Sequence, residues 1–387
     1  MSKMNKCLGD DGILIVEGCR VIAICTGCNK CPGREMILSK RGNCMKLFEY
    51  LHHHKTYVIA EMSANHAGSF ERAKEIIYAA KEAGADCIKI QTYTADTITM
   101  DCDNEYFHID SGTWAGENLY HLYEKAYTPW EWQPGLKAEA DRIGIDFLST
   151  PFDKTAVDFL EEIGVEAYKI ASFELVDIPL IDYTASKRKP VILSTGMGSF
   201  DEIKEAAATI RKYHDQFVLL KCSSAYPSVS EQMNLATMVD MKERFKCPSG
   251  LSDHSMGSLG AVAAVAMGAD VIEKHFCLSR DIKNPDSSFS MEPQEFADMV
   301  RDIRAVERAK GNVFYGAAEQ EKDNLNFRKS IFVSTDIKKG ERITEDNIRV
   351  IRPAYGLSPK FFDDVIGKRA ARDIQRGMPL IFDFLMD

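Results

Sequence analysis

The stretch YVIAEMSANHAGSFERAKEIIYAAKEAGADCIKIQ, residues 57–91, predicts a strand, a helix and a second strand in that order. Its first apolar run, 57–62, has the length of a buried strand. The helix that follows has its apolar residues on one face, and Gly84 can end it before the second apolar run, 86–91. A strand, a helix and a strand in succession indicate two parallel strands joined by a crossover.

Six further strand-like runs follow downstream, separated by amphipathic helices. One of these helices begins after Ser199, which can form a capping box with Glu202. Eight strand and helix pairs in about 250 residues predict a closed (β/α)8 TIM barrel, an α/β fold. The long polar insertion at 92–114 follows the second strand, on the side where barrels bind ligands. The further runs are 145–149, 166–170, 190–194, 217–221, 248–251 and 270–275.

Composition divides the chain into four predicted segments. Residues 1–55 form a cysteine-rich N-terminal extension, and 56–310 form the barrel. Residues 311–328 lack an apolar period and are predicted to be a linker. Residues 329–387 predict a small β-rich domain that is too small to be very stable alone. Its strands are predicted at 330–333, 348–351 and 380–384.

Six of the eleven cysteines lie within the first 44 residues. Cys25, Cys28 and Cys31 have the two-residue spacing of thiolate ligands to zinc or an iron–sulfur cluster, but no fourth ligand continues the spacing. A second interpretation is an accessory leader, with Met45 as an alternative start. The histidine run 52–54 precedes the first barrel strand, so it is expected away from the ligand-binding end.

The charge balance and hydropathy exclude several classes of protein. The chain has 58 acidic and 48 basic residues, and its formal charge of -10 argues against a nucleic-acid or anionic-membrane surface. No run reaches the ~18 apolar residues of a membrane span, and no signal peptide is recognisable. We therefore expect a cytoplasmic protein.

Polar or ionisable side chains occur near the carboxyl ends of all eight predicted strands, where barrel active sites form. His254 and His275 end consecutive strands, so their imidazoles could converge on one divalent metal, although each could be a hydrogen-bonded core histidine instead. Glu61 could be a ligand or general acid/base, or simply a salt-bridge partner of Lys89. The set comprises Glu61, Lys89, Gln91, Thr150, Lys169, Ser172, Glu174, Ser194, Thr195, Lys221, Ser223, Asp253, His254, Glu273, Lys274 and His275.

The lysines and hydroxyls of this set suit a ligand that carries phosphate and carboxylate groups. Lys89 and Lys169 bring positive charge into the barrel interior, which is unfavourable unless an anion or a carboxylate pairs with them. Hydroxyls at the ends of neighbouring strands could complete such a cradle. No phosphate-binding glycine loop and no Gly-x-Ser-x-Gly elbow occur, which argues against nucleotide-binding folds and serine hydrolases.

Seven runs of sequence match a known family: 61–66 (EMSANH), 88–93 (IKIQTY), 149–153 (STPFD), 168–172 (YKIAS), 251–254 (LSDH), 273–276 (EKHF) and 285–290 (PDSSFS). They resemble the sialic acid synthase family, and the resemblance covers about residues 56–387, including a C-terminal SAF (antifreeze-like) domain with Arg352. The opening 61–66 and the segment 285–290 are most similar to the branch that uses trideoxy diacetamido sugars.

The resemblance implies condensation of phosphoenolpyruvate with an acetamido sugar, favouring 2,4-diacetamido-2,4,6-trideoxy-altrose, with C–O cleavage and release of phosphate. It implies that His254 and His275 bind a divalent metal such as manganese, with magnesium or cobalt as alternatives, and Glu61 is our choice of catalytic base. A domain-swapped homodimer also follows from the likeness, with Phe327 near the inserted Arg352. The implied phosphoenolpyruvate contacts are Lys89, Thr150, Lys169, Ser172, Ser194 and Ser223, and the implied sugar contacts are Glu174, Tyr226, Asp286 and Arg352. Cys222 and Ser224 compete with Ser223 for its place in the match.

Three alternatives stay open at this point. An N-acetylneuraminate or legionaminate synthase would share the catalytic residues and differ in the sugar pocket. A phosphoenolpyruvate-dependent aldose-phosphate synthase should need a further basic cluster in the loops. A carbohydrate-binding protein on an inactive barrel is disfavoured because Glu61, the two lysines and the two histidines are all present.

Overall fold

The computed structural model describes residues 55–386, Leu47 and the backbone of three N-terminal strands. These strands, β1 (Gly12–Glu17), β2 (Arg20–Cys25) and β3 (Glu35–Lys40), form an antiparallel sheet in the order β1-β2-β3. The thiol of Cys25, the other leader cysteines and the histidine run 52–54 lie outside the described residues. No helix in the described part of the chain is long and apolar enough to cross a membrane.

Eight parallel strands close into a barrel, which confirms the predicted fold class. They lie in chain order around the ring, and the last strand pairs with the first through Val271 opposite Tyr57. All eight predicted strands are present. They are β4 (Tyr57–Glu61), β5 (Cys87–Thr92), β6 (Asp146–Pro151), β7 (Tyr168–Ile170), β8 (Val191–Ser194), β9 (Phe217–Cys222), β10 (Ser249–Asp253) and β11 (Val271–His275).

Helices cover the outside of the barrel and pack their apolar faces on the strands. The predicted capping box of Ser199 and Glu202 opens one of them, and Gly311 ends another. The helices of this unit are α1 (Phe70–Glu82), α2 (Ala95–Ile98), α3 (Leu119–Ala126), α4 (Gln133–Ile143), α5 (Lys154–Glu162), α6 (Ile178–Ser186), α7 (Phe200–Arg211), α8 (Ala236–Phe245), α9 (Leu259–Ala266) and α10 (Pro293–Lys310).

A second compact unit begins after Gly311. Strands β12 (Ser330–Val333) and β13 (Ile348–Ile351) pair antiparallel, as do β14 (Arg369–Ala370) and β15 (Leu385–Met386). The short helix α11 (Phe362–Val365) lies between these two pairs in sequence. Its apolar core includes Ile331, Val333, Ile337, Ile343, Ile348, Val365, Ala370, Ile374, Leu380 and Phe384.

Two segments of this unit differ from the prediction. The run 380–384, predicted as a strand, contains a 3-10 turn at Phe382–Phe384 before β15. Leu380 and Phe384 are buried, whereas Phe382 is 49% exposed. An extended strand would turn all three side chains to the same face, so the turn allows Phe382 to leave the core. The predicted linker contains two short 3-10 helices, Glu319–Glu321 and Asp323–Phe327.

Candidate active site

The alternation of side chains along the strands creates the site. Tyr57, Ile59 and Glu61 point to the same face of β4 because successive residues of a strand point to opposite faces. Tyr57 and Ile59 belong to a buried apolar cluster contributed by six barrel strands, Ala167 directly before β7, and Leu47. Glu61 ends its strand above that cluster and is 1% exposed. The polar layer therefore lies at the carboxyl ends of the strands, as the sequence predicts.

Two lysines and two glutamates form a buried network in this layer. The Lys89 Nζ lies 2.8 Å from Glu61 Oε2 and 3.6 Å from Glu273 Oε1. The same Glu273 oxygen lies 3.8 Å from the Lys169 Nζ. Gln91 donates a hydrogen bond of 2.9 Å to the other Glu61 oxygen. The salt bridge between Glu61 and Lys89 is thus present, and it joins a larger arrangement of alternating charges.

The network shifts the pKa values of its members in opposite directions. Burial raises the pKa of Glu61, and Lys89 only partly offsets this effect. Burial would lower the pKa of Lys89, but Glu273 and Glu61 raise it. Burial lowers the pKa of Lys169, while the two lysines hold the pKa of Glu273 below its usual value. Glu61 is therefore the carboxylate of this network best suited to accept a proton.

Hydroxyl groups extend from the lysines around one side of the barrel mouth. The ammonium group of Lys89 donates to Thr150 Oγ1 at 3.2 Å, and that of Lys169 donates to Ser194 Oγ at 2.6 Å. The backbone N–H of Gly196 donates to Ser172 Oγ at 3.0 Å. The structure thus brings together most of the predicted phosphate and carboxylate cradle.

Ser224, which competes with Ser223 in the sequence prediction, also belongs to this group of hydroxyls. A Cβ added to Gly196 would lie 2.2 Å from Ser224 Oγ and 2.7 Å from Ser172 Oγ. Glycine is required there by the close approach of two side chains from other strands. The predicted Ser223 offers its carbonyl oxygen to His254 Nδ1 at 3.0 Å. No pattern in the sequence distinguishes Ser223 from Ser224, since only the turn after β9 decides their directions.

His254 and His275 lie side by side, with ring centroids 5.3 Å apart. The Ser223 carbonyl orients the Nδ1 side of His254, which leaves Nε2 as the nitrogen that could bind a metal. His275 Nδ1 is buried and has no hydrogen-bond partner among the described residues. Burial and nearby cations lower the pKa of His275 well below its usual value, so its imidazole is neutral, as a ligand must be.

The two imidazoles fit a metal that takes part of its shell from water or substrate. Among the described residues, no group of three or more His, Cys, Asp and Glu side chains is arranged to hold a metal. The unpartnered His275 nitrogen is the observation in favour of a metal, since a buried polar atom is costly without a partner. Two protein ligands leave several coordination positions open, as a Lewis-acid site requires.

Three predicted sugar contacts lie in loops around this centre. Glu174 has a buried carboxylate oxygen without a hydrogen-bond partner, and burial raises its pKa to about 7. The Tyr226 ring lies 4.2 Å from the His254 ring. Asp286 accepts a hydrogen bond from the Ala64 N–H at 3.0 Å, and burial raises its pKa. The fourth predicted contact, Arg352, lies on the exposed surface of the second unit.

A second buried ion pair is formed by the residues that directly precede the two histidines. The Lys274 ammonium group lies 2.8 Å from Asp253 Oδ2, and both side chains are almost completely buried. Asp253 also accepts hydrogen bonds from the N–H and hydroxyl of Ser255. Because Asp253 precedes His254 and Lys274 precedes His275, the pair fixes the backbone on both sides of the imidazoles. Because successive side chains of a strand point to opposite faces, Asp253 and Lys274 point away from the ligand side of the barrel.

Comparisons with known proteins agree with this geometry. The NeuB family model matches residues 76–315, and the SAF domain model matches residues 328–386. The chain is 45% identical over 324 residues to a pseudaminic acid synthase of Campylobacter jejuni, covering 84% of this chain and 94% of that protein. A pseudaminic acid synthase of Helicobacter pylori is 41% identical over 336 residues, covering 84% and 96%.

A solved structure extends the likeness to three dimensions. The N-acetylneuraminic acid synthetase of Leptospira borgpetersenii, crystallised with citrate, matches with a TM-score of 0.63 at 32% identity. The match covers 70% of this chain and 91% of that one. With its closed barrel, its polar layer and these matches over most of the chain, the protein is an enzyme of the NeuB family with a C-terminal SAF domain.

Proposed function

We propose that this enzyme condenses phosphoenolpyruvate, water and 2,4-diacetamido-2,4,6-trideoxy-altrose to give pseudaminic acid and phosphate. The observation that carries the proposal is the buried network of Glu61, Lys89, Lys169 and Glu273 beside the imidazole pair. The likeness to two pseudaminic acid synthases supports this choice of sugar. Because phosphoenolpyruvate is an intracellular metabolite, we propose a cytoplasmic location.

The residues of the network have separate roles in this reaction. Lys89 and Lys169, with the hydroxyls of Thr150, Ser172, Ser194 and the 223–224 pair, would hold the phosphate and carboxylate groups of phosphoenolpyruvate. Glu61 would take a proton from the water that attacks C2, while C3 bonds to the aldehyde carbon of the sugar. Cleavage of the C2–O bond then releases inorganic phosphate. The aldehyde oxygen becomes a hydroxyl by taking up a proton.

The imidazoles of His254 and His275 would hold a divalent metal, and we propose manganese, with magnesium and cobalt as alternatives. When bound, such a metal polarises the sugar's carbonyl as a Lewis acid. The protein contributes the orientation, since the Ser223 carbonyl and the Asp253–Lys274 pair fix the two rings. Tyr226 covers one side of His254 and restricts the access of water.

The function is tested by supplying phosphoenolpyruvate labelled with ¹⁸O at the bridging oxygen, together with a panel of acetamido sugars. We expect labelled phosphate and a nine-carbon 2-keto acid, identified by mass spectrometry, with the trideoxy diacetamido sugar used best. Label retained in the organic product would contradict C–O cleavage. If N-acetylmannosamine were preferred, the N-acetylneuraminate alternative, which the Leptospira structure supports, would replace the proposal. A legionaminate synthase would prefer another diacetamido stereoisomer.

Turnover with a phosphorylated aldose in place of the acetamido sugars would favour the aldose-phosphate synthase and contradict the proposal.

We propose a domain-swapped homodimer in which the second unit of one copy covers the barrel mouth of the other. Exposed apolar side chains follow the ends of four consecutive strands, β7 to β10, and exposed apolar side chains also occur at the start of the second unit. Single exposed apolar residues are ordinary, but clusters of them mark interaction surfaces. The first group is Phe173, Val176, Met197, Phe200, Val229, Met256 and Leu259, and the second is Val313, Phe314, Tyr315 and Phe327.

Under this proposal, Arg352 of one copy reaches the sugar bound in the other. Arg352→Ala should raise the apparent KM for the sugar by about tenfold or more, because a charge-assisted hydrogen bond is lost. The apparent KM for phosphoenolpyruvate should change little. Arg349→Ala, a nearby arginine on the exposed face of β13, is the matched control. Equal effects on both substrates, or a monomer by analytical ultracentrifugation, would contradict the arrangement.

A further inference from the structure

The insertion after β5 forms a hairpin-like loop whose tip carries Trp114. His108 and Asn118 form an antiparallel bridge at its base. The Ile109 N–H donates to the Glu117 carbonyl at 3.0 Å, and the Gly116 N–H donates to the Ile109 carbonyl at 2.8 Å. The polar insertion therefore holds a large aromatic side chain in a defined position.

Trp114 connects two separate loops at the carboxyl end of the barrel. Its indole N–H donates to the Pro285 carbonyl at 2.9 Å, directly before Asp286. Its ring lies 5.4 Å from the ring of Tyr226 and 6.4 Å from that of Phe289. The neighbouring Thr113 hydroxyl donates to the Tyr226 carbonyl. We call the rings of Trp114, Tyr226 and Phe289 the aromatic wall.

The aromatic wall lies against the two imidazoles. Between ring centroids, Tyr226 is 4.2 Å from His254 and Phe289 is 5.1 Å from His275. The Tyr226 and Phe289 rings are 5.2 Å from each other. A sugar whose aldehyde oxygen lay at the imidazoles would have the rest of its ring or chain within reach of this wall. The wall is thus placed to contact a group of the sugar that is distant from the reacting carbon.

The polar groups that the insertion brings to the wall are already in use. The indole N–H of Trp114 donates to the Pro285 carbonyl, the Thr113 hydroxyl donates to the Tyr226 carbonyl, and the Phe289 side chain has no polar atom. The phenol hydroxyl of Tyr226 is the remaining polar group of the three rings. Aromatic faces pack favourably against C–H and methyl groups. A sugar hydroxyl pressed against the ring faces of Trp114 and Phe289 would lose its water and gain no hydrogen-bond partner from them, which is unfavourable.

We propose that Trp114 determines sugar specificity because its ring face, beside that of Phe289, accepts a methyl group of the sugar, either the deoxy carbon or an acetamido methyl, and disfavours a hydroxyl there. This inference rests on the proposed function and adds the residue that selects the sugar substrate. Each of the two acetamido groups of the proposed sugar ends in a methyl group, and its deoxy carbon, C6, is itself a methyl group. N-acetylmannosamine has hydroxyls in place of one acetamido group and of the deoxy hydrogen.

The test compares the two sugars in wild-type enzyme, Trp114→Ala and Trp114→Phe. The ratio of kcat/KM for the trideoxy diacetamido sugar to that for N-acetylmannosamine should fall in Trp114→Ala by about 10- to 200-fold, the range for apolar pocket contacts. The apparent KM for phosphoenolpyruvate should stay unchanged. Trp114→Phe keeps an aromatic ring but loses the hydrogen bond to Pro285, so its ratio should lie between the other two.

Trp132→Phe is the matched control, because this tryptophan packs against His66 and Phe70, outside the aromatic wall. Its sugar ratio should equal that of the wild type. An unchanged ratio in both Trp114 variants, or equal losses for sugar and phosphoenolpyruvate, would overturn the proposal. If Trp114→Ala does not fold, as judged by thermal melting, the ratio in Trp114→Phe decides.

Saturation-transfer NMR of the sugar separates this inference from the proposed reaction. Strong transfer to the sugar's methyl protons in the wild type, reduced in the Trp114 variants, would support the wall even if no product formed. Turnover with unchanged methyl transfer in the variants would overturn the wall while the reaction stood. No binding of the sugar to the wild-type enzyme would overturn both.

Discussion

Replacing either His254 or His275 with alanine is expected to abolish metal-dependent phosphate release while leaving the fold intact. The two rings lie 5.3 Å apart, and among the described residues no group of three or more His, Cys, Asp and Glu side chains is arranged to hold a metal, so the remaining imidazole would be left without a second protein ligand. A Lewis acid supplies several kcal/mol of transition-state stabilisation, so the loss should be about 10³-fold or more. Rates of phosphate release, measured with and without added manganese after chelator treatment, check this.

His121→Ala is the control, because that imidazole is exposed and pairs only with Glu124 among the described residues. It should keep wild-type activity and metal dependence. The wild-type enzyme should lose activity in chelator and regain it with a divalent ion. Either active-site variant turning over at the wild-type rate in chelator-treated buffer would show that the metal assignment is wrong.

Replacing Glu61 with glutamine is expected to lower kcat by about 10²- to 10⁴-fold, the usual contribution of a general base. Glutamine keeps the shape of the side chain and can still contact Lys89 and Gln91, so phosphoenolpyruvate binding should persist. Lys89 would also retain Glu273 at 3.6 Å. Steady-state kinetics together with calorimetric binding of phosphoenolpyruvate separate the chemical step from binding.

The direction of the Glu61 pKa shift also predicts how kcat depends on pH. A base must be deprotonated, and burial raises the pKa of Glu61, so kcat should rise with pH through that raised value. The acidic limb assigned to Glu61 should disappear in Glu61→Gln. Glu71→Gln, which removes an exposed carboxylate 3.0 Å from Lys74, is the matched control and should leave the profile unchanged. A variant at Glu61 with normal kcat would exclude it as the base.

The strand pattern of the barrel could be predicted because it depends on local order in the sequence. Each apolar run is short, each is followed by an amphipathic helix, and signals such as the Ser199–Glu202 capping box act within a few residues. The predicted strand at 380–384 was wrong because the requirement to bury Leu380 and Phe384 but expose Phe382 comes from neighbouring segments of the second unit.

The candidate site could be predicted in part for the same reason. Glu61, Lys89, Lys169, His254 and His275 are ionisable residues at the ends of apolar strands, and such positions are visible in the sequence. The approach of Ser224 and Ser172 to Gly196 was not visible, because contacts between residues that follow different strands depend on the curvature of the closed sheet. Trp114 was also missed, since the insertion gave no periodic signal and its contacts lie more than 100 residues away.

By itself the sequence determined that eight parallel strands form, that they close into a barrel, and that charged side chains end those strands. These properties follow from the spacing of the apolar residues and from the alternation of side chains along a strand, which puts Ile59 and Glu61 on the same face. Only the tertiary structure decided that Glu273 lies between Lys89 and Lys169, that the two imidazoles meet, and that Trp114 packs against Tyr226, which in turn packs against His254. Those distances depend on ring closure and loop packing, which bring together residues that no local pattern in the chain connects.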